Sequence, residues 1–134
     1  MNQFPSSYLL YPIGYVESAL NDRASAPPQP DEGAPPAWLV FHERVRDAVR
    51  DLRIGDDMLL FTWLDRADRD VLRVHPRGKQ ARPEVGVFNT RSPNRPNPVG
   101  LHRVHIIARD GELRVQVENL EVFHCTPIID VKSV

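Results

Sequence analysis

Apolar residues recur along this chain in two different periods. Trp38, Phe41, Val45, Ala48, Val49 and Leu52 fall three or four positions apart, the spacing of one helical face. They predict an amphipathic helix over 37–53, stopped by Gly55. Residues 58–64 (Met-Leu-Leu-Phe-Thr-Trp-Leu) form a short continuous apolar run that reads as a buried strand, and 71–75 as a shorter one. Residues 8–16 read as a strand interrupted by Pro12, which supplies no N–H to a ladder. Asp110-Gly111 joins a strand over 101–108 to another over 113–122 as a hairpin. Residues 21–36 are rich in Pro and Ala and have neither period, so they read as a loop. Six or so strands with one helix predict a mainly β fold.

Composition narrows this picture. At 134 residues the chain is one domain's worth, 1–134, with enough core to fold without staples. Thirteen prolines argue against an all-helical architecture, and the single cysteine, Cys125, excludes an internal disulfide framework. No apolar run approaches membrane-spanning length, and residues 1–7 lack the basic and apolar regions of a signal peptide. The expectation is a cytoplasmic protein with no membrane partner. The net charge of −1 hides an asymmetry, because residues 73–103 carry seven Lys or Arg and only Glu84 as acid. That segment suits an RNA-facing surface. Its alternative is a strand-and-loop surface whose arginines pair with Asp65, Asp68 and Asp70. Phe88 is its only stacking aromatic, so no single-strand reading platform is indicated.

Familiar catalytic constellations are missing. The five histidines, at 42, 75, 102, 105 and 124, show no paired ligand spacing with Cys125, so no metal site is expected. His102 and His105 sit three apart, which in a strand sends them to opposite faces. Neither a Gly-x-Gly-x-x-Gly nor a Gly-x-x-x-x-Gly-Lys loop occurs, so a Rossmann cofactor and nucleotide hydrolysis have no support.

The densest chemistry lies in Gly86-Val87-Phe88-Asn89-Thr90-Arg91-Ser92-Pro93-Asn94-Arg95-Pro96-Asn97-Pro98-Val99-Gly100, where three prolines, three asparagines and two arginines occur without an acid. Each proline fixes its own φ and biases its predecessor toward extended geometry, so the loop is expected to be stiff. Val87-Phe88 before it and Val99, Leu101, Val104 and Ile106 after it look strand-like and anchor it. Arg91 and Arg95 on such a support suit recognition of a carboxylate or phosphate.

With Leu101 appended, this motif resembles the signature of the TsaA-like (TrmO-type) methyltransferases. Pro12-Ile13-Gly14-Tyr15-Val16-Glu17-Ser18 is similar to that family's first strand. Thr126-Pro127-Ile128-Ile129-Asp130-Val131-Lys132 is similar to its closing block. The resemblance implies a small, non-Rossmann β-barrel, S-adenosyl-L-methionine as cofactor, and N6-methylation of threonylcarbamoyl-adenosine beside the tRNA anticodon, by a homodimer. Carried over position by position, it implies cofactor-binding roles for Gln29, Leu64, Asp65, Arg91, Leu101, Glu118, Asn119, Leu120 and Glu121. Arg95, Asn97 and Lys132 match positions that frame the motif or face RNA. Asp130, His124 and Asp65 are the candidate bases for deprotonating an acceptor nitrogen.

The chain also departs from the family pattern. Leu64-Asp65 stand where a Phe-His pair is frequent, His124-Cys125 replace Asp-Gly before Thr126-Pro127, and Ser133-Val134 replace Pro-Tyr. Two alternatives follow: a non-catalytic module that binds S-adenosyl-L-methionine or RNA, and a methyltransferase with another small acceptor.

Overall fold

The computed structural model describes residues 5–19, 35–76 and 82–134. Its strands are β1 (Gly14–Glu17), β2 (Ala37–Phe41), β3 (Asp57–Trp63), β4 (Arg73–Val74), β5 (Val85–Gly86), β6 (Val99–Asp110), β7 (Arg114–Glu118) and β8 (Pro127–Ser133). A single turn of α-helix, α1 (Arg46–Val49), follows a 3-10 turn over Glu43–Val45. The fold is mainly β with one short helix, as expected.

Six strands pair in the cyclic order β1-β2-β7-β6-β3-β8, all antiparallel, and β4 and β5 form a separate two-stranded ribbon. Alternation along the strands fills the interior. Val16, Leu39, Leu60, Val104, Ile106, Val115, Val117 and Ile128 are all essentially inaccessible and share one core cluster. Close approach at β1 requires a glycine, since a Cβ on Gly14 would lie 2.3 Å from the Val40 carbonyl oxygen.

The expected helix over 37–53 is corrected. Its first part is strand β2, in which Ala37, Leu39 and Phe41 point inward and Trp38 and Val40 lie half-buried between them. Five consecutive apolar residues satisfy a two-residue period as well as a helical one, and pairing with β1 and β7 selects the strand. The helical remainder presents Val45, Val49 and Leu52 to the core. Arg109 closes its end, donating from Nη1 to the Leu52 carbonyl and from Nη2 to that of Glu112 at 2.8 Å.

Two further expectations shift. Val87-Phe88 belong to a 3-10 turn, Val87–Asn89, and the strand over 71–75 shrinks to Arg73–Val74. The hairpin stands, with Asp110 opposite Arg114 and Gly111 at φ 70°.

Candidate functional site

The proline-rich loop is held by its own polar groups. Arg95 donates to the carbonyls of Ser92 (2.8 Å), Val87 (2.6 Å) and Thr90 (2.6 Å), so its guanidinium braces the loop from within. Thr90 Oγ1 donates to the Val87 carbonyl at 2.8 Å and accepts from the Ser92 N–H at 3.1 Å. The neighbouring β3–β4 connection clamps the other side. Leu64 N–H donates to the Pro98 carbonyl (2.8 Å), Asp68 N–H to Asn94 Oδ1 (2.9 Å), and Arg69 to the Pro96 carbonyl (2.7 Å) and Asn97 Oδ1 (3.0 Å). Of the two motif arginines, Arg95 is structural and Arg91 stays exposed, its Nη2 donating to the Leu101 carbonyl at 2.8 Å.

Beyond the loop, β6 alternates. Gly100, His102, Val104 and Ile106 face inward while Leu101 and Arg103 face out. Cross-strand register places Leu101 of β6, Phe61 of β3 and Asp130 of β8 in one row, and Arg103, Leu59 and Lys132 in the next. The outer face of these three strands therefore carries Leu101, Asp130 and Lys132, and Arg91 reaches it through the Leu101 carbonyl, whereas Leu64 packs against the core. Asp130 lies 3.7 Å from Lys132 Nζ, and its Oδ1 accepts the Val131 N–H at 2.9 Å.

The remaining sequence-predicted residues occupy the β7–β8 connection. Glu118 and Asn119 are exposed, Asn119 at φ 66°, and Glu121 is half-buried. Leu120 is fully buried in the core, so its side chain packs inward. His124 Nδ1 accepts the Ser18 N–H at 3.2 Å. Arg66, stacked on the Phe123 ring at 4.6 Å, links this connection to the segment that carries Asp65. Gln29 lies outside the described residues.

Among the described residues, the arginines of the basic segment form no ion pair with Asp65, Asp68 or Asp70. Arg73 meets Glu84 (3.1 Å) and Arg103 meets Asp57 (3.3 Å), while Arg91 and Arg95 use main-chain carbonyls. Among the described residues no cluster of three or more His, Cys, Asp or Glu could hold a metal ion.

His102 is a residue to which the sequence pattern assigned a face but no role in the site. Its Nε2 shares a 2.8 Å hydrogen bond with Thr62 Oγ1 inside the closed sheet, directly beneath Gly100, where a Cβ would lie 2.6 Å from the imidazole. Burial, and secondarily the positive charge of Arg91, push its pKa from the usual 6.5 down to about 4, so the ring is neutral at physiological pH. Its two-residue offset from Gly100 was the available signal, since that spacing puts both on one face.

Comparison with known proteins follows this geometry. The tRNA-methyltransferase O N-terminal domain family matches residues 15–134. A probable S-adenosyl-L-methionine-binding protein of Methanothermobacter thermautotrophicus is 39% identical over 121 residues, covering 90% of this chain and 85% of that protein. An S-adenosyl-L-methionine-binding protein of Archaeoglobus fulgidus is 35% identical over 125 residues, covering 93% of this chain and 88% of that protein. The crystal structure of TrmO from Pseudomonas aeruginosa superposes with a TM-score of 0.71 at 21% identity, covering 96% of this chain. This chain spans 56% of that chain's length.

Proposed function

The chain belongs to the tRNA-methyltransferase O N-terminal domain family, and from that premise we propose that it is an S-adenosyl-L-methionine-dependent methyltransferase acting on N6 of threonylcarbamoyl-adenosine in tRNA. The observation that carries the reading is the exposed Arg91, seated by the Leu101 carbonyl on a loop that Arg95 makes rigid. The donor set fits the cofactor. A guanidinium suits its carboxylate, the carboxylates of Asp65, Glu118 and Glu121 suit its ammonium and ribose hydroxyls, and Leu64 and Leu101 offer apolar contact to adenine.

The cofactor supplies an activated methyl on a sulfonium, so the protein's task is alignment. Arg91 fixes one end of the ligand, and the braced loop prevents that anchor from drifting. The acceptor nitrogen would lose a proton as its bond to the methyl carbon forms and the methyl–sulfur bond breaks, the electron pair staying on the departing thioether sulfur. Asp130, Asp65 and His124 are the groups offered for that proton, and Asp130 shares the outer face with Leu101. Lys132 and Asn97 stand beside these groups as RNA contacts. The reading includes a homodimer working in the cytoplasm, with the outer face of β3, β6 and β8 completed by a second copy.

A second reading, a cofactor-binding module without turnover, draws on the relatives being named as binding proteins and on His124-Cys125 replacing Asp-Gly. Titration with S-adenosyl-L-methionine and methyl incorporation into threonylcarbamoylated tRNA separate the two. Arg91→Ala should weaken cofactor binding by about 1–3 kcal/mol, roughly 5- to 150-fold. Unchanged affinity in the folded variant would remove Arg91 from the site. Tight binding without methyl incorporation would favour the module.

A further inference from the structure

Strand β8 is fully partnered on only one side. Along β3 it pairs from Met58 opposite Ser133 to Thr62 opposite Ile128, but along β1 only Gly14 opposite Ile128 and Tyr15 opposite Pro127 are matched. Continued antiparallel, the β1 register would set residues 9–12 against 130–133. Pro12 prevents this, because it has no N–H to donate and its carbonyl is taken by the Arg44 guanidinium. The preceding chain therefore leaves the sheet, and Tyr8, Leu9, Leu10 and Tyr11 stand 76%, 78%, 56% and 67% exposed. On β8 the Val131 N–H is met by the carboxylate of its own neighbour, Asp130, at 2.9 Å, a side-chain substitute for a strand partner.

The place such a strand would occupy is a groove of about 530 Å³ between β8 and α1. Its lining combines apolar Phe41, Val45, Val49 and Val131 with the carboxylates of Asp51, Asp56, Asp57 and Asp130. An open strand edge beside an apolar groove is a template for an added strand.

We propose that residues 8–11 of one copy insert as a strand alongside β8 of a second copy, and reciprocally, so that the N-terminal segment is an exchanged strand. Three features select this occupant. The segment Tyr8-Leu9-Leu10-Tyr11 is uncharged and apolar like much of the groove lining, and as a strand it turns alternate side chains toward that lining. Four extended residues cover about 13 Å, the length of the open β8 edge. Within one copy, residues 8–11 stand exposed and none of them lines the groove that Ile13 borders. Two reciprocal insertions would bury on the order of 1,500 Å², the size of a standard stable interface. The inference stands apart from methyl transfer and from any dimer formed through the outer face of β6.

The test uses the full chain carrying Cys125→Gly, to remove the exposed native thiol, with Leu9→Cys and Ser133→Cys added, positions that the continued register sets opposite each other. Mild oxidation should give a disulfide between copies, read by non-reducing electrophoresis and peptide mass spectrometry. Separately, Leu9→Asp with Leu10→Asp should raise the dimer dissociation constant in sedimentation by roughly 100-fold or more. A 9–133 disulfide within one chain would mean that the segment folds onto its own groove, and would overturn the exchange. So would a wild-type monomer at all soluble concentrations, or a dimer whose affinity survives the aspartates. That last outcome would leave the outer-face dimer standing, and methyl incorporation would be judged separately.

Discussion

Acidification should destabilise this protein through one half-buried, inward-facing side chain. His102 lies inside the closed sheet against Thr62, which is wholly inaccessible, and beneath Gly100, with its pKa lowered to about 4 by burial and then by Arg91. The unfolded side chain takes a proton near 6.5. Between those values the unfolded state binds more protons than the folded one, so stability falls as pH falls. The contribution is fully present above about pH 6.5 and is lost progressively down to about pH 4. At ~1.4 kcal/mol per pH unit the loss across the window is on the order of 3 kcal/mol, a large share of a domain's stability. Urea denaturation across this range, on the wild type and on His102→Asn, isolates the effect, because the other histidines are common to both. The wild type should lose on the order of 3 kcal/mol relative to the variant between the two ends. Asp57, whose carboxyl is held below its usual range by His105 and then Arg103, contributes stability that is lost only below its unfolded value of 3.8. It therefore does not imitate the signal. A wild-type-minus-variant difference that stays flat, or an imidazole titrating near 6.5 by NMR, would refute the reasoning.

Two further outcomes are expected. Cys125 holds φ 70°, a conformation that costs a non-glycine residue roughly 1–2 kcal/mol, so Cys125→Gly should raise stability by about 1 kcal/mol in the same denaturation assay. Gly100→Ala should lower it by about 1–3 kcal/mol, because the added methyl would sit 2.4 Å from Thr62 Oγ1 and 2.6 Å from His102 Nε2. Adding His102→Ser should recover part of that loss, and no recovery would mean that the imidazole is not the obstacle.

What the sequence determined by itself was local. The hairpin followed from Asp110-Gly111, since it depends on backbone preferences that neighbouring residues set. The opposite facing of His102 and His105 followed from strand period alone, one meeting Thr62 inside and the other Asp57 outside. Family membership was legible because the motif is long and uninterrupted. Tertiary structure decided the rest. An all-apolar stretch such as Ala37–Phe41 obeys helical and strand periods equally, and only its pairing partners choose. The two motif arginines look equivalent in sequence, yet loop closure points Arg95 at three carbonyls and leaves Arg91 outside. The left-handed turn at Cys125 and the burial of His102 arise where distant strands meet, so no local pattern encodes them. The groove beside β8 exists because one proline at the end of β1 removes a strand from a ring whose other members lie far along the chain.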